Sequence, residues 1–183
     1  VAAEIEAAGG NRDRIRIVHA SQVVACGDAP TDALRKADSS IKRAAELLRD
    51  GAADGLVAAG NTGAAILACA RYFRVINGIR KTGLASVYPR QTEYPGQDQL
   101  ALLLDVGATI RCEAVELVQF ALMGSAYARR VSKVASPRVA LLNMGTEETK
   151  GGPLLASAYR QLKTVPGINF IGNIEGSDLV RGA

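Results

Sequence analysis

No tryptophan occurs in these 183 residues, histidine occurs once, at His19, and aromatic residues make up only 4%. Single-stranded nucleic acid is held by aromatic platforms beside a basic groove. The 22 basic residues here are scattered among 18 acids without a Lys/Arg block, so nucleic acid is not an expected partner. Cysteine is equally sparse. Cys26, Cys69 and Cys112 are an odd, widely spaced set with no C-x-x-C pair. With one histidine they do not make a zinc cluster, and they read as free thiols of a reducing compartment. Apolar runs stay far short of the roughly 20 residues that a spanning helix needs, and no secretory signal opens the chain. The expectation is a cytoplasmic protein without metal or cofactor. Two nucleotide signatures are missing as well. No G-x-G-x-x-G follows an apolar run. The segment from Gly145 to Lys150 has P-loop composition, but Thr149 stands where the glycine before the lysine belongs.

What is present is an ordinary globular balance, 48% hydrophobic and 22% charged, with a formal charge of +4 that favours anionic ligands and acidic partners. A unit recurs along the chain: a short apolar run, a loop of Gly, Asn, Thr or Asp, then a helical pattern. Apolar runs of this length bounded by such loops predict buried strands over residues 15–18, 56–59, 84–87, 100–106, 139–142 and 168–171. Ser39 or Ser40 is placed to cap a helix whose Ile41, Ala44, Ala45 and Leu48 share a face, with Gly51 as its stop. Further helices are predicted over 62–73, 113–131 and 153–164. In the third of these four, Gly124, Ala126 and Ala128 are small enough to admit a neighbouring helix. Alternating strands and helices give right-handed crossovers and a mainly parallel sheet covered on both faces. The fold class expected is α/β, a single domain over 1–183. The chain opens within one helical pattern and stops soon after another begins, so the domain is expected to be an incomplete part of a longer enzyme. The one long polar stretch, residues 90–99, reads as a flap or a surface connection.

In open sheets of this kind ligands collect beyond the carboxyl ends of the strands, where this sequence places its unusual residues. Gly60-Asn61-Thr62-Gly63 joins a strand to a helix; glycines let a ligand approach the backbone, and helix-start N–H groups favour an anion. The same residues also suit a tight turn with an Asn cap. Asp105 ends an apolar run, where a carboxylate needs a partner, and Gly107 follows. Cys112 near a helix start is a conceivable nucleophile, but no base lies near it in sequence, and a packing role is the other reading. Residues 143–152 hold Asn143, Gly145, Glu147, Glu148, Lys150 and Gly151. They form either a site in which the lysine meets an anion or a solvated turn with an internal ion pair. Asn173, Glu175 and Gly176 repeat the Gly/Asn pattern after the last run. Arg35 and Lys36 precede Ser39 and Ser40, either as a cation and hydroxyl patch or as an exposed first turn.

Six stretches in order, RKADSSI (35–41), DGLVAAGNTGA (54–64), LLDVGA (103–108), LVQFALMGSAYA (117–128), LLNMGTEETKG (141–151) and PGINFIGNIEGSDL (166–179), resemble the phosphate acyltransferase family of bacterial phospholipid synthesis (the PlsX family). The resemblance implies a Rossmann-like three-layer α/β/α fold related to phosphotransacetylases and isocitrate dehydrogenase-like proteins. It implies transfer of a fatty acyl group from acyl carrier protein to orthophosphate, a homodimer, and peripheral association with the inner face of the cell membrane through segments outside this chain. The family's N-terminal GGD-type loop and C-terminal DGFxGN segment have no counterpart in these residues. Thr109 and Gly152 depart from the family's asparagines and are left out of the site. The catalytic set implied is Lys36, Asn143, Glu147, Glu148 and Lys150. Ser39, Ser40, Gly60, Asn61, Thr62, Gly63, Asp105, Gly107, Gly145, Gly151, Asn173, Glu175 and Gly176 bind phosphate or substrate. Asn61, Thr62, Gly63 and Asn143 are expected to cradle phosphate, and alanine at Asn61 or Asn143 to cut turnover with folding near normal. A phosphotransacetylase-like enzyme using acyl-CoA and a non-catalytic binding protein on the same fold are the alternatives.

Overall fold

A polar residue at a helix start can satisfy donors that the helix itself cannot, as Asn61, Glu113 and Glu175 do here. The computed structural model describes residues 2–91, 100–107 and 111–182. They divide into two compact units, residues 1–74 and 75–183.

The first unit is helical. It contains α1 (Ala2–Ala7), a short 3-10 turn at Arg12–Arg14, α2 (Asp32–Arg35), α3 (Ser40–Arg49) and α4 (Thr62–Tyr72). Ser39 precedes α3 in extended conformation, and Gly51 ends that region with φ +72°. Asn61 caps α4 by accepting the Ala64 N–H. Ala33, Ala45, Ala64 and Ala68 are fully or almost fully buried. Small side chains at these positions let short helices pack closely, at the expense of apolar area per residue. The strands expected over 15–18 and 56–59 are not formed. Those residues carry no ladder partner among the described residues, and Ile15, Ile17, Val18 and Val57 are exposed. An apolar run becomes a strand only when a neighbour satisfies its backbone.

The second unit contains β1 (Ala85–Pro89), β2 (Leu100–Leu104), α5 (Ala114–Arg130), β3 (Arg138–Leu142), α6 (Gly152–Leu162), β4 (Asn169–Ile174) and α7 (Gly176–Arg181). Four of the six expected strands are therefore present, with ends shifted by up to three residues. The α/β class holds. The sheet is less uniform than the alternating pattern suggested: β1 and β2 pair antiparallel, and β3 and β4 pair parallel through an α6 crossover. A capping box starts α5, with Glu113 and Glu116 each accepting the other end's backbone N–H. Val118, Leu141, Ala158 and Leu162 form the buried centre, flanked by Leu117, Ala121 and Val165. Tyr159 and Phe170 meet edge to face at 5.1 Å between ring centres. Burying a side chain such as Leu162 contributes about 1.5–3 kcal/mol. The helix expected against Gly124 is instead a strand: a Cβ there would stand 2.7 Å from Leu104 Cδ1. Most of the 90–99 stretch, together with Ala108 and Thr109, lies outside the described residues.

Candidate functional site

Four of the polar residues singled out in the first unit, Lys36, Ser39, Ser40 and Asn61, converge on one segment, residues 21–28. Asn61 does so from the start of α4, its Nδ2 donating to the carbonyls of Ala25 (3.1 Å) and Asp28 (2.9 Å) while Oδ1 holds the cap. Lys36 reaches the same segment from the end of α2. Its Nζ donates to Val23 O at 2.7 Å and to Asp28 Oδ2 at 2.6 Å. That lysine bond is the main reason the Asp28 carboxyl lies below the usual range, helped by the Ala25 N–H. Ser39 bridges in parallel to Gln22, and the Ser40 N–H donates to Gln22 O. Ser39 is fully buried, and its Oγ has no partner. Asp38 binds the Ser21 N–H and hydroxyl and the Arg43 guanidinium, which together pull its carboxyl far below the usual range.

The structure thus brings Lys36 and Asn61 onto one loop, but both side chains are spent on protein groups. The expectation that alanine at Asn61 leaves folding near normal does not fit a side chain that caps α4 and also ties it to the carbonyls of Ala25, Cys26 and Asp28. Thr62 is exposed at the first position of α4, with Gly60 before it. The N–H groups of Thr62 and Gly63 lie in a first turn, where a helix offers them no acceptor. Gly63 is fixed by sterics, since a Cβ would lie 2.7 Å from Pro30 Cγ. Asp28 and Pro30 were not singled out from the sequence. The only signal was a Gly-Asp pair beside a proline in an otherwise apolar stretch.

In the second unit two strand-end loops meet, because β3 and β4 are parallel neighbours. The Asn143 N–H donates to Ile174 O at 2.8 Å. Asn173, 6% exposed, donates from Nδ2 to Glu147 O at 2.7 Å, and its Oδ1 is buried without a partner. Asn143 closes its own loop: Oδ1 accepts the Met144 N–H, and Nδ2 donates to Lys150 O. Gly145 is buried, and a Cβ on it would stand 2.8 Å from Glu147 Oε2. Gly151 caps α6 with φ +80°, and a Cβ there would stand 2.6 Å from Asn143 Oδ1. Lys150 Nζ lies 4.0 Å from Glu147 Oε1 with both side chains about half exposed, whereas Glu148 turns away to Lys163 at 3.1 Å. Of the two adjacent acids, only Glu147 is positioned beside Lys150. Glu175 and Asp178 form a capping box at α7, which begins at Gly176.

Asp105 follows β2 at φ +67°, a conformation rarely adopted by a residue other than glycine and one that stores strain. Its N–H donates to Leu84 O, while its Oδ1 is buried without a partner; Gly107 beyond it has φ +112°. Burial first, then the charge of Asp105, pushes the Cys112 thiol up, which favours the packing reading over the nucleophile. Missed from sequence was Glu116, 4% exposed. It accepts from Lys81 Nζ at 3.0 Å, and the Glu113 N–H is the largest cause of its lowered pKa. No cluster of metal-ligating side chains occurs among the described residues.

Residues 2–183 match the family model described as "Fatty acid synthesis protein". The chain belongs to that family. It is similar to proteins named phosphate acyltransferase: 46% identical over 178 residues to one from Heliobacterium modesticaldum and 42% over 173 residues to one from Dictyoglomus turgidum. These alignments cover 97% and 94% of this chain but 51% and 50% of the relatives. A third such relative, from Oleidesulfovibrio alaskensis, is 45% identical over 91% of this chain and 46% of its own length. The chain spans about half the length of the curated relatives it matches. No described helix is long and apolar enough to cross a membrane.

Proposed function

We propose that this chain serves, in an enzyme of the relatives' length, the reaction of acyl-[acyl carrier protein] with orthophosphate to give acyl phosphate and free carrier protein. The observation that carries the reading is the 42–46% identity to proteins named phosphate acyltransferase across nearly the whole chain. An orthophosphate oxygen attacks the thioester carbonyl, the tetrahedral oxyanion collapses, and the carrier thiolate leaves. Phosphate is a weak nucleophile and thiolate a good leaving group, so the protein must chiefly orient phosphate, neutralise it and stabilise the oxyanion.

Lys150 supplies charge, with Glu147 beside it to hold the ammonium. Thr62 and Gly63 offer first-turn N–H donors at α4. Asn61 and Asn143 shape their loops, a role different from direct contact with the anion, because their polar atoms already have protein partners. Asp105, Gly107, Gly145, Gly151, Asn173, Glu175 and Gly176 set the path of the strand-end loops. Lys36 fixes residues 23–28, and Ser39 and Ser40 anchor the neighbouring segment. The finer reading includes a Rossmann-like three-layer arrangement in the full-length protein, a homodimer, an acidic carrier protein drawn by the basic surplus, and a cytoplasmic enzyme peripheral to the membrane.

The test is an assay of the full-length protein for acyl phosphate made from acyl carrier protein thioester and orthophosphate, with acyl-CoA as a second donor. Turnover with the carrier thioester is expected, and Lys150→Met is expected to lower kcat by about 10–1000-fold. Activity with acyl-CoA alone supports the phosphotransacetylase-like alternative, and no acyl phosphate from either donor removes the enzyme reading.

A further inference from the structure

The carboxylates of the second unit are nearly all engaged. Glu113, Glu116, Glu147 and Glu148 face cations, and Glu175 and Asp178 close the first turn of α7. Among the described residues Asp105 is the one carboxylate of this unit with neither kind of partner, and its Oδ1 is walled off from solvent without a donor. Its backbone is unusual as well. The N–H groups of Asp105 and Val106 both donate to Leu84 O, at 2.9 and 3.3 Å. Two residues against one is the pattern of a bulge, which re-aims a side chain and whose left-handed position ordinarily belongs to glycine. Asp105 stands there at φ +67°. A residue held against its backbone preference points to a use for its side chain.

The residue as a whole is half-buried, and it lines an open groove together with Leu142 and Ile174, the last residues of β3 and β4. Asn143 and the loop to Lys150 follow directly from Leu142. Ligands of α/β proteins collect at such strand ends. A carboxylate only accepts hydrogen bonds, so it meets an anion unfavourably unless that anion brings a proton. Orthophosphate does, since at neutral pH each of its forms carries at least one hydroxyl. Sulfate and fully ionised phosphate esters carry none. Short of a donor at Oδ1, the carboxylate gains more from such a hydroxyl than a fully solvated one would. We infer that Asp105 decides which oxyanion the groove accepts: it takes a hydrogen bond from the hydroxyl of orthophosphate and turns sulfate away. The inference rests on orthophosphate as the acyl acceptor of the proposed reaction, and it makes Asp105 a specificity-determining residue for that acceptor.

Isothermal titration of the full-length protein with orthophosphate and with sulfate tests the inference, together with inhibition of acyl transfer by sulfate. The parent is expected to prefer orthophosphate by at least about 100-fold, because a site built to bond a hydroxyl rejects the analogue that lacks it. Asp105→Asn keeps the side-chain shape, tolerates the left-handed backbone and offers an amide N–H that sulfate can accept. It is expected to narrow the preference at least about tenfold, chiefly through tighter sulfate binding. Asp105→Gly removes the backbone strain along with the carboxylate, so it is expected to raise the thermal midpoint and still narrow the preference. Variants that change stability and leave the ratio of the two affinities alone make Asp105 structural and overturn the inference. So does a parent that binds the two anions equally. Sulfate inhibition that is equal in the parent and Asp105→Asn, with turnover intact, overturns the inference and leaves the enzyme reading standing. Selective orthophosphate binding that Asp105→Asn abolishes, with no acyl transfer from either donor, supports the inference and removes the enzyme reading.

Discussion

Removing the Asn61 side chain should unfasten two loops at once. Oδ1 of the side chain caps α4 at Ala64 N (2.9 Å), and Nδ2 holds Ala25 O (3.1 Å) and Asp28 O (2.9 Å), with a longer bond to Cys26 O (3.5 Å). A lost Asn cap costs about 1 kcal/mol, and an ordinary hydrogen bond contributes about 1 kcal/mol net. The Ala25 bond is exposed and counts for less, so Asn61→Ala should destabilise the first unit by about 2–3 kcal/mol. Asn61→Asp divides the effect, because it keeps an oxygen for the cap and removes the donor to the carbonyls. Its expected loss is about 1–2 kcal/mol. Urea denaturation followed by far-ultraviolet circular dichroism, with amide exchange at residues 64–69, measures both variants. If Asn61→Ala falls within about 0.5 kcal/mol of the parent, or if Asn61→Asp is as stable as the parent, the tether is not what holds residues 25–28.

Gly63→Ala sets helix propensity against sterics. Alanine gains up to about 1 kcal/mol in a helix, but its Cβ would meet the rigid Pro30 ring at 2.7 Å, and overpacking costs about 1–3 kcal/mol. A lower thermal midpoint is expected, and a higher one would show that Pro30 yields. Glu116 has a lowered pKa, so its stabilising contribution is full above the ordinary carboxylate range and fades as pH falls through its folded value. Glu116→Gln should therefore narrow its stability deficit as the medium is acidified below that range, as read by denaturation at several pH values. Under the proposed function, Cys112→Ser should leave turnover of the full-length protein within about twofold, because burial raises the thiol and disfavours the thiolate a nucleophile needs; loss of activity would restore the nucleophile reading.

Where a signal was local, the sequence was sufficient. The cap at Asn61, the stop at Gly51 and the four central helices follow from chemistry within a few residues, whereas the cap expected of Ser39 makes no side-chain hydrogen bond. The runs at 100–106, 139–142 and 168–171 found partners and became strands, whereas equally apolar residues at 15–18 and 56–59 did not. Strand formation depends on a neighbour that the run itself does not encode. The site shows the same division. Loops rich in Gly and Asn were legible as special, but the use of each side chain was not. Lys36 turned out to pair with Asp28, and Glu148 with Lys163, across separations of 8 and 15 residues. Asp105 announced itself as a carboxylate ending an apolar run, but its left-handed backbone could not be read from residue type.

The pairing of Glu147 with Lys150 and of Glu148 with Lys163 leaves the loop before α6 electrically self-balanced, two positive groups against two negative. An anion settling there gains little from net attraction and depends on the direction of individual donors. Background salt should then alter its residence far less than a small misalignment of the lysine, and selectivity would follow from shape more than from charge.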